Sequence, residues 1–160
     1  MKTDNWILAG LGLLAVILLA GQGSIFKLAG ELVISFEGFR SRPYWDVTRY
    51  SWGYGTKAPG ANGTISKAQA FTDMVAVLIS DYNYLQPLIK RELKPGQWAA
   101  LLSFSYNLGP GNADNLINNI NSGNDIALGE QWDKYIMAGG VPNDTLIDRR
   151  AREWSTWINS

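Results

Sequence analysis

Glu37 and Asp46 stand nine residues apart in a chain that has no histidine and no cysteine. Their absence excludes Ser-His-Asp and Cys-His constellations, thiolate nucleophiles, imidazole bases and Cys or His metal sites. Chemistry is left to carboxylates, hydroxyls, Lys, Arg and Tyr. Two carboxylates close together are then the natural acid and base of glycoside hydrolysis. Their settings divide the work. Glu37 has Phe36 and Phe39 beside it and closes a predicted helix, directly before Gly38. Apolar neighbours and the negative end of the helix both favour the protonated carboxyl that a general acid needs. Asp46 lies among the hydroxyls of Thr48 and Ser51, which suit an ionised carboxylate. Taken alone, the pair also admits a plainer reading, in which Glu37 caps a helix and Asp46 starts a turn.

The elements that must position this pair are legible in outline. Phe26, Leu28, Leu32, Val33 and Phe36 recur near a helical period over 25–36, and Gly38 is the stop. Residues 44–56 are rich in Tyr, Trp, Thr and Val, hold Gly53 and Gly55, and read as a small β-hairpin region. Residues 59–63 are a loop. Ser66-x-x-Gln69 fits a capping box for a helix to about Tyr84. Pro95 opens the next helix, which Gly109 ends. Shorter helices are expected over 112–121 and 126–137, and Thr145-x-x-Asp148 fits a box opening a last helix to about Ile158. The expected fold is α+β, with the hairpin region and a helical bundle facing each other across a cleft. Tyr54 and Trp52 could floor a sugar subsite there, since aromatic faces stack on sugar rings, or they could pack in the core. Trp98, Trp132, Trp154 and Trp157 are expected in the core.

The 160 residues suffice for one folded domain. Fourteen basic residues balance fourteen acidic ones, so no global field holds nucleic acid, and no nucleic-acid partner is expected. Residues 6–21 carry no charge. That is short of the roughly 20 apolar residues of a full span, although the uncharged run extends to Phe26. A cleaved signal peptide with its cut after Gly23, a retained signal-anchor and a buried core helix all remain open, with the signal-anchor favoured. This reading divides the chain into 1–24, an N-terminal hydrophobic anchor helix, and 25–160, the catalytic body. The membrane partner is then residues 6–21, and the body faces the periplasm or belongs to a lipid-containing virion.

The run SFEGFRSRPYWDVTRYSWGYGT resembles the catalytic core of phage-type lysozymes, glycoside hydrolase family 24. The matching features are Glu37-Gly38, Tyr44, Asp46 and Gly53-Tyr54-Gly55. QWAALLSFSYNLG over 97–109, Trp132 with Ala138-Gly139-Gly140, and LIDRRARE over 146–153 resemble further motifs of that family, in order. The resemblance implies a lysozyme-like fold over about residues 27–158. It also implies hydrolysis of the β-1,4 bond between N-acetylmuramic acid and N-acetylglucosamine in the peptidoglycan glycan strand, by a monomeric catalytic domain, without metal or cofactor. Glu37 would protonate the leaving oxygen. Asp46 would orient water or stabilise the sugar cation. The inverting course usually assigned to the family places such carboxyls about 6.5–9.5 Å apart.

One position departs from the pattern. The family's Thr, six residues after the Asp, is Trp52 here. Aligned on the glycines, Ser51 supplies the hydroxyl that holds the attacking water, with Thr48 the lesser alternative. The resemblance also points to Asn107 as a donor to an N-acetyl group. It makes Arg150 the partner of Glu37, with Arg149 and Arg152 as alternatives. A binding module without catalysis, or a lytic transglycosylase that needs only the acid, would carry the same motifs.

Overall fold

The structure, a computed structural model, describes residues 22–160. The apolar stretch 6–21 lies outside the described residues. Among the described residues no helix is long and apolar enough to cross a membrane.

Helix α1 (Gly23–Glu37) buries Ile25, Phe26, Ala29, Gly30 and Val33 along one stripe. It ends because Gly38 takes φ 63°, a left-handed conformation in which a β-carbon is strained. The chain then forms an antiparallel sheet of β1 (Arg40–Asp46), β2 (Arg49–Gly53) and β3 (Thr56–Lys57) in that order. Tyr44 pairs with Ser51 and Asp46 with Arg49, so these four share one face. Trp45 and Tyr50 lie on the other, packed edge-on at 5.2 Å.

Helix α2 (Lys67–Leu85) starts as expected: Ser66 Oγ accepts from the Gln69 amide at 3.1 Å. Helix α3 (Pro95–Leu108) is the central element and buries every residue from Trp98 to Ser105. It packs against α1, α2, α4 (Pro110–Ser122) and α6 (Asp144–Ile158). Trp132 sits in the core with Phe104, Trp154 and Trp157 at ring separations of 5.0, 6.0 and 5.8 Å. This is the expected α+β arrangement of a small sheet beside a helical bundle.

Several boundaries differ from the sequence reading, and β1 starts at Arg40, four residues ahead of the expected hairpin region. Helix α4 begins two residues early, because Pro110 occupies its first position directly after Gly109. Helix α5 (Asp125–Trp132) stops five residues short of Met137. The pair Gly139 and Gly140, at φ 59° and 84°, instead turns β4 (Met137–Ala138) back onto β5 (Val141–Pro142), a turn whose handedness suits only two such residues. The cap of α6 is Asn143, whose Oδ1 accepts from the Leu146 amide at 3.1 Å, rather than Thr145.

Asp81 is buried between α2 and α3 and accepts from Ser105 Oγ at 2.7 Å. Burial pushes its carboxyl above the usual range, and the Ser105 bond opposes only part of that. In the window above the ordinary carboxylate value the folded chain holds a proton that the unfolded chain has lost. Stability therefore falls as pH rises through that window. Asp81→Asn, which keeps the acceptor, is expected to raise the thermal midpoint at pH 7. The gain should shrink towards pH 4, and thermal unfolding across that range reads it.

Candidate active site

Glu37 is the last residue of α1, and Gly38 turns the chain away immediately after it. Its side chain therefore stands where α1, the sheet and α6 meet. Arg149 of α6 donates from Nη1 to Glu37 Oε1 at 2.6 Å, with the guanidinium nearly buried and the carboxylate 22% exposed. On the sheet side Gly55, at φ 86°, leaves the room: a β-carbon there would lie 3.1 Å from Glu37 Oε2. Gly55→Ala is accordingly expected to displace the carboxylate and to lower the thermal midpoint modestly, which thermal unfolding reads.

The Arg149 guanidinium is itself fixed from three directions. Its Nε donates to Glu153 Oε1 at 3.2 Å, its Nη2 donates to the Ser103 carbonyl at 3.3 Å, and its plane lies 4.8 Å from the Phe36 ring centre. Glu153 is fully buried and gathers donors: Ser103 Oγ at 2.7 Å, Trp132 Nε1 at 3.3 Å and Arg150 Nη2 at 3.0 Å, besides Arg149. Arg150 Nε is 2.8 Å from Glu153 Oε2, at ion-pair distance but off the line of a hydrogen bond. Two guanidiniums thus share two carboxylates, Glu153 inside and Glu37 at the edge. Buried charges persist only when paired in this way.

The expected Arg150–Glu37 contact is therefore made by Arg149. Arg150 points one residue further round α6, packs 4.7 Å over Phe104 and donates to Asn107 Oδ1 at 3.0 Å. That bond orients the half-buried Asn107 amide and leaves its Nδ2 hydrogens for another acceptor. Arg152, the other alternative, is on the exposed side of α6 and donates to Ser35 Oγ at 3.0 Å.

Asp46 ends β1 and is exposed. Ser51, across the ladder, donates to Asp46 Oδ2 over a long 3.4 Å. Ser51 is itself fully buried, so its hydroxyl faces the carboxylate and not an incoming water. Its expected contact with the attacking water is corrected to one with Asp46, and Thr48 lies at the exposed turn. Tyr54 is also corrected. It is 4% exposed and packs its ring 5.7 Å from Phe39, so it cannot floor a sugar subsite. Its carbonyl does serve the site, accepting from Tyr106 Oη at 2.7 Å and tying α3 to the sheet.

Tyr44 on β1 and Tyr106 on α3 are the tyrosines on which the site's charges act. The Tyr44 phenol is pushed up by burial, then by the Asp46 carboxylate and by the Glu37 carboxylate, while Arg40 and Arg49 oppose the rise. Burial and Glu37 likewise push the Tyr106 phenol up, against Arg149 and Arg49. The Tyr44 hydroxyl is thus within electrostatic reach of both acids. Tyr44's place beside Asp46 follows from the two-residue period of β1, whereas that of Tyr106 depends on how α3 packs against the sheet. Glu153 and Arg149 had a signal: with Leu146, Arg150 and Trp157 they fall on one stripe of α6 at helical spacing, whereas Arg152 falls off it. Among the described residues no group of three or more carboxylates could hold a metal ion.

The chain is 29% identical over 148 residues to the SAR-endolysin of Bacteriophage PS119, across 86% of this chain and 89% of that protein. It is 29% identical over 135 residues to the endolysin of Bacillus phage B103, across 80% of this chain but only 51% of that one. The chain thus spans about half the length of the Bacillus phage endolysins it matches. Its fold resembles the muramidase domain of SpmX from Asticaccaulis excentricus (TM-score 0.74, 24% identity, 81% of this chain and 94% of that one). It also resembles the active form of the P1 phage endolysin Lyz (TM-score 0.73, 17% identity, 93% of each). The family model described as Phage lysozyme matches residues 34–153, from the end of α1 to the buried glutamate of α6, and the chain belongs to that family.

Proposed function

We propose that the protein hydrolyses the glycan strand of peptidoglycan at the β-1,4 bond between N-acetylmuramic acid and N-acetylglucosamine. Glu37 protonates the leaving oxygen. Asp46, on the opposite wall, orients water or stabilises the sugar cation, and Ser51 holds Asp46 in place. The Asn107 amide, oriented by Arg150, donates to an N-acetyl carbonyl. The observation that carries this reading is Glu37, held by Arg149 where α1, the sheet and α6 meet, within the segment that matches the family. The endolysin names of the sequence relatives support it.

End-group analysis of digested, purified peptidoglycan tests the reaction. New reducing N-acetylmuramic ends, in equal number to new N-acetylglucosamine non-reducing ends, are the expected products. Anhydro-sugar ends would mark a transglycosylase, and no release at all a binding module. The anomer formed distinguishes an inverting from a retaining course. We further propose that residues 6–21 tether the body to a membrane, with the body in the periplasm or in a lipid-containing virion, for lysis or entry. Alkaline extraction of membranes that leaves the full chain in the pellet is the expected result.

A further inference from the structure

Between Lys134 and Asp144 lie nine residues without a charge, YIMAGGVPN. They build the β4–β5 ribbon, in which Met137 pairs with Pro142 and Ala138 with Val141. The Asn143 amide donates to the Ile136 carbonyl at 2.9 Å and extends the ladder by one pair. Every residue from Met137 to Pro142 is exposed, Met137 at 49% and Val141 at 62%. A β-carbon at Gly139 or Gly140 would meet nothing within 4 Å, so the tip stands clear of the body. A lone two-stranded ribbon is marginal in water, and one edged with apolar side chains gains from being covered.

The feet of the ribbon are built into the candidate site. Tyr135 packs edge-on against Phe104 at 4.9 Å. Phe104 also carries the Arg150 guanidinium at 4.7 Å, and Arg150 holds Asn107. At the other foot Asn143 caps α6, the helix that brings Arg149 to Glu37. By the two-residue period of the ladder, Met137 and Pro142 lie on the side of Tyr135, towards Phe104 and Asn107, whereas Ala138 and Val141 look away. We propose that Met137, with Pro142 beside it, is a substrate-contacting residue of the helical lobe. Its side chain packs on the C–H face of the sugar next to the one whose N-acetyl group Asn107 holds. The proposal rests on the peptidoglycan reading above and extends that site from Asn107 onto the ribbon. Pyranose rings present such faces to apolar side chains, and an uncharged ribbon suits a neutral run of sugars.

Binding of soluble, stem-free glycan strands to the full chain tests it, measured by calorimetry in the Glu37→Gln background so that no strand is cut. Adding Met137→Ser is expected to weaken binding about fivefold through lost apolar contact. In the chain that keeps Glu37, the same change should raise KM by that factor with kcat unchanged. The thermal midpoint should not move, because Met137 is exposed. Met137→Leu, which restores the apolar bulk, should bind as the parent does. Val141→Ser, on the outward face, should leave affinity intact. Unchanged affinity in Met137→Ser overturns the proposal, as does an equal loss in Val141→Ser or a loss that Met137→Leu shares. If Met137→Ser weakens binding but the wild type releases no reducing ends, the ribbon contact stands and the hydrolase reading fails. If the wild type cleaves and Met137→Ser cleaves with the same KM, the hydrolase reading stands and the ribbon contact fails.

Discussion

Glu37→Gln is expected to lower the rate of reducing-end release from purified peptidoglycan by about 10³-fold or more, since general-acid catalysis alone contributes about 10²–10⁴. The side chain keeps its shape and can still accept from Arg149 Nη1, which stands 2.6 Å from Oε1 in the wild type. It has no acidic proton to deliver to the leaving oxygen. The thermal midpoint is expected to move by a few degrees at most, because Glu37 sits at the edge of the charge network and retains some exposure. Strand affinity should persist. A fall in activity of this size with the fold and binding intact separates a chemical role from a structural one. By contrast, Asp46→Asn should lower the rate about 10²-fold, since Asp46 is exposed and held by a single long bond.

Glu153→Ala is expected to be the most destabilising single change in α6. It removes the carboxylate that receives Ser103, Trp132, Arg149 and Arg150, and leaves Arg149 with Glu37 alone and the buried Arg150 with no carboxylate partner. Removing one partner of a buried ion pair costs about 3–5 kcal/mol, a drop of about 10 °C or more in Tm for a domain of this size. Arg149 should then lean further onto Glu37, so activity measured at a temperature where the variant is folded should also fall. Glu153→Gln offers a milder probe. It keeps the volume and one acceptor but places an amide N–H2 against donors, so an intermediate loss of Tm is expected. Thermal unfolding of both variants beside the wild type reads the order.

The sequence made the elements around the site legible because their signals are local. The stop at Gly38, the Ser66 cap and the Pro95 start depend on residues within a turn of each boundary. The early end of α5 does not: it comes from a tight β4–β5 turn that needs two adjacent left-handed glycines. The two carboxylates were legible by type and spacing. Their supports were less so, because they come from α6, more than a hundred residues away. The choice between Arg149 and Arg150 turns on a 100° step around that helix, which side-chain contact decides. Tyr54 illustrates a different limit. Period-2 alternation would have put it on the face of Trp52, but β2 ends at Gly53 and the left-handed turn there swings Tyr54 into the core.

The most direct test of the account is a crystal structure of Glu37→Gln with a bound muropeptide oligosaccharide spanning the cut site. The account predicts the scissile oxygen within about 3 Å of the residue-37 side chain, with Asp46 on the opposite face of the sugar and the Asn107 amide on an N-acetyl group. A strand bound elsewhere on the molecule, or one whose glycosidic oxygens all lie beyond reach of position 37, would contradict it.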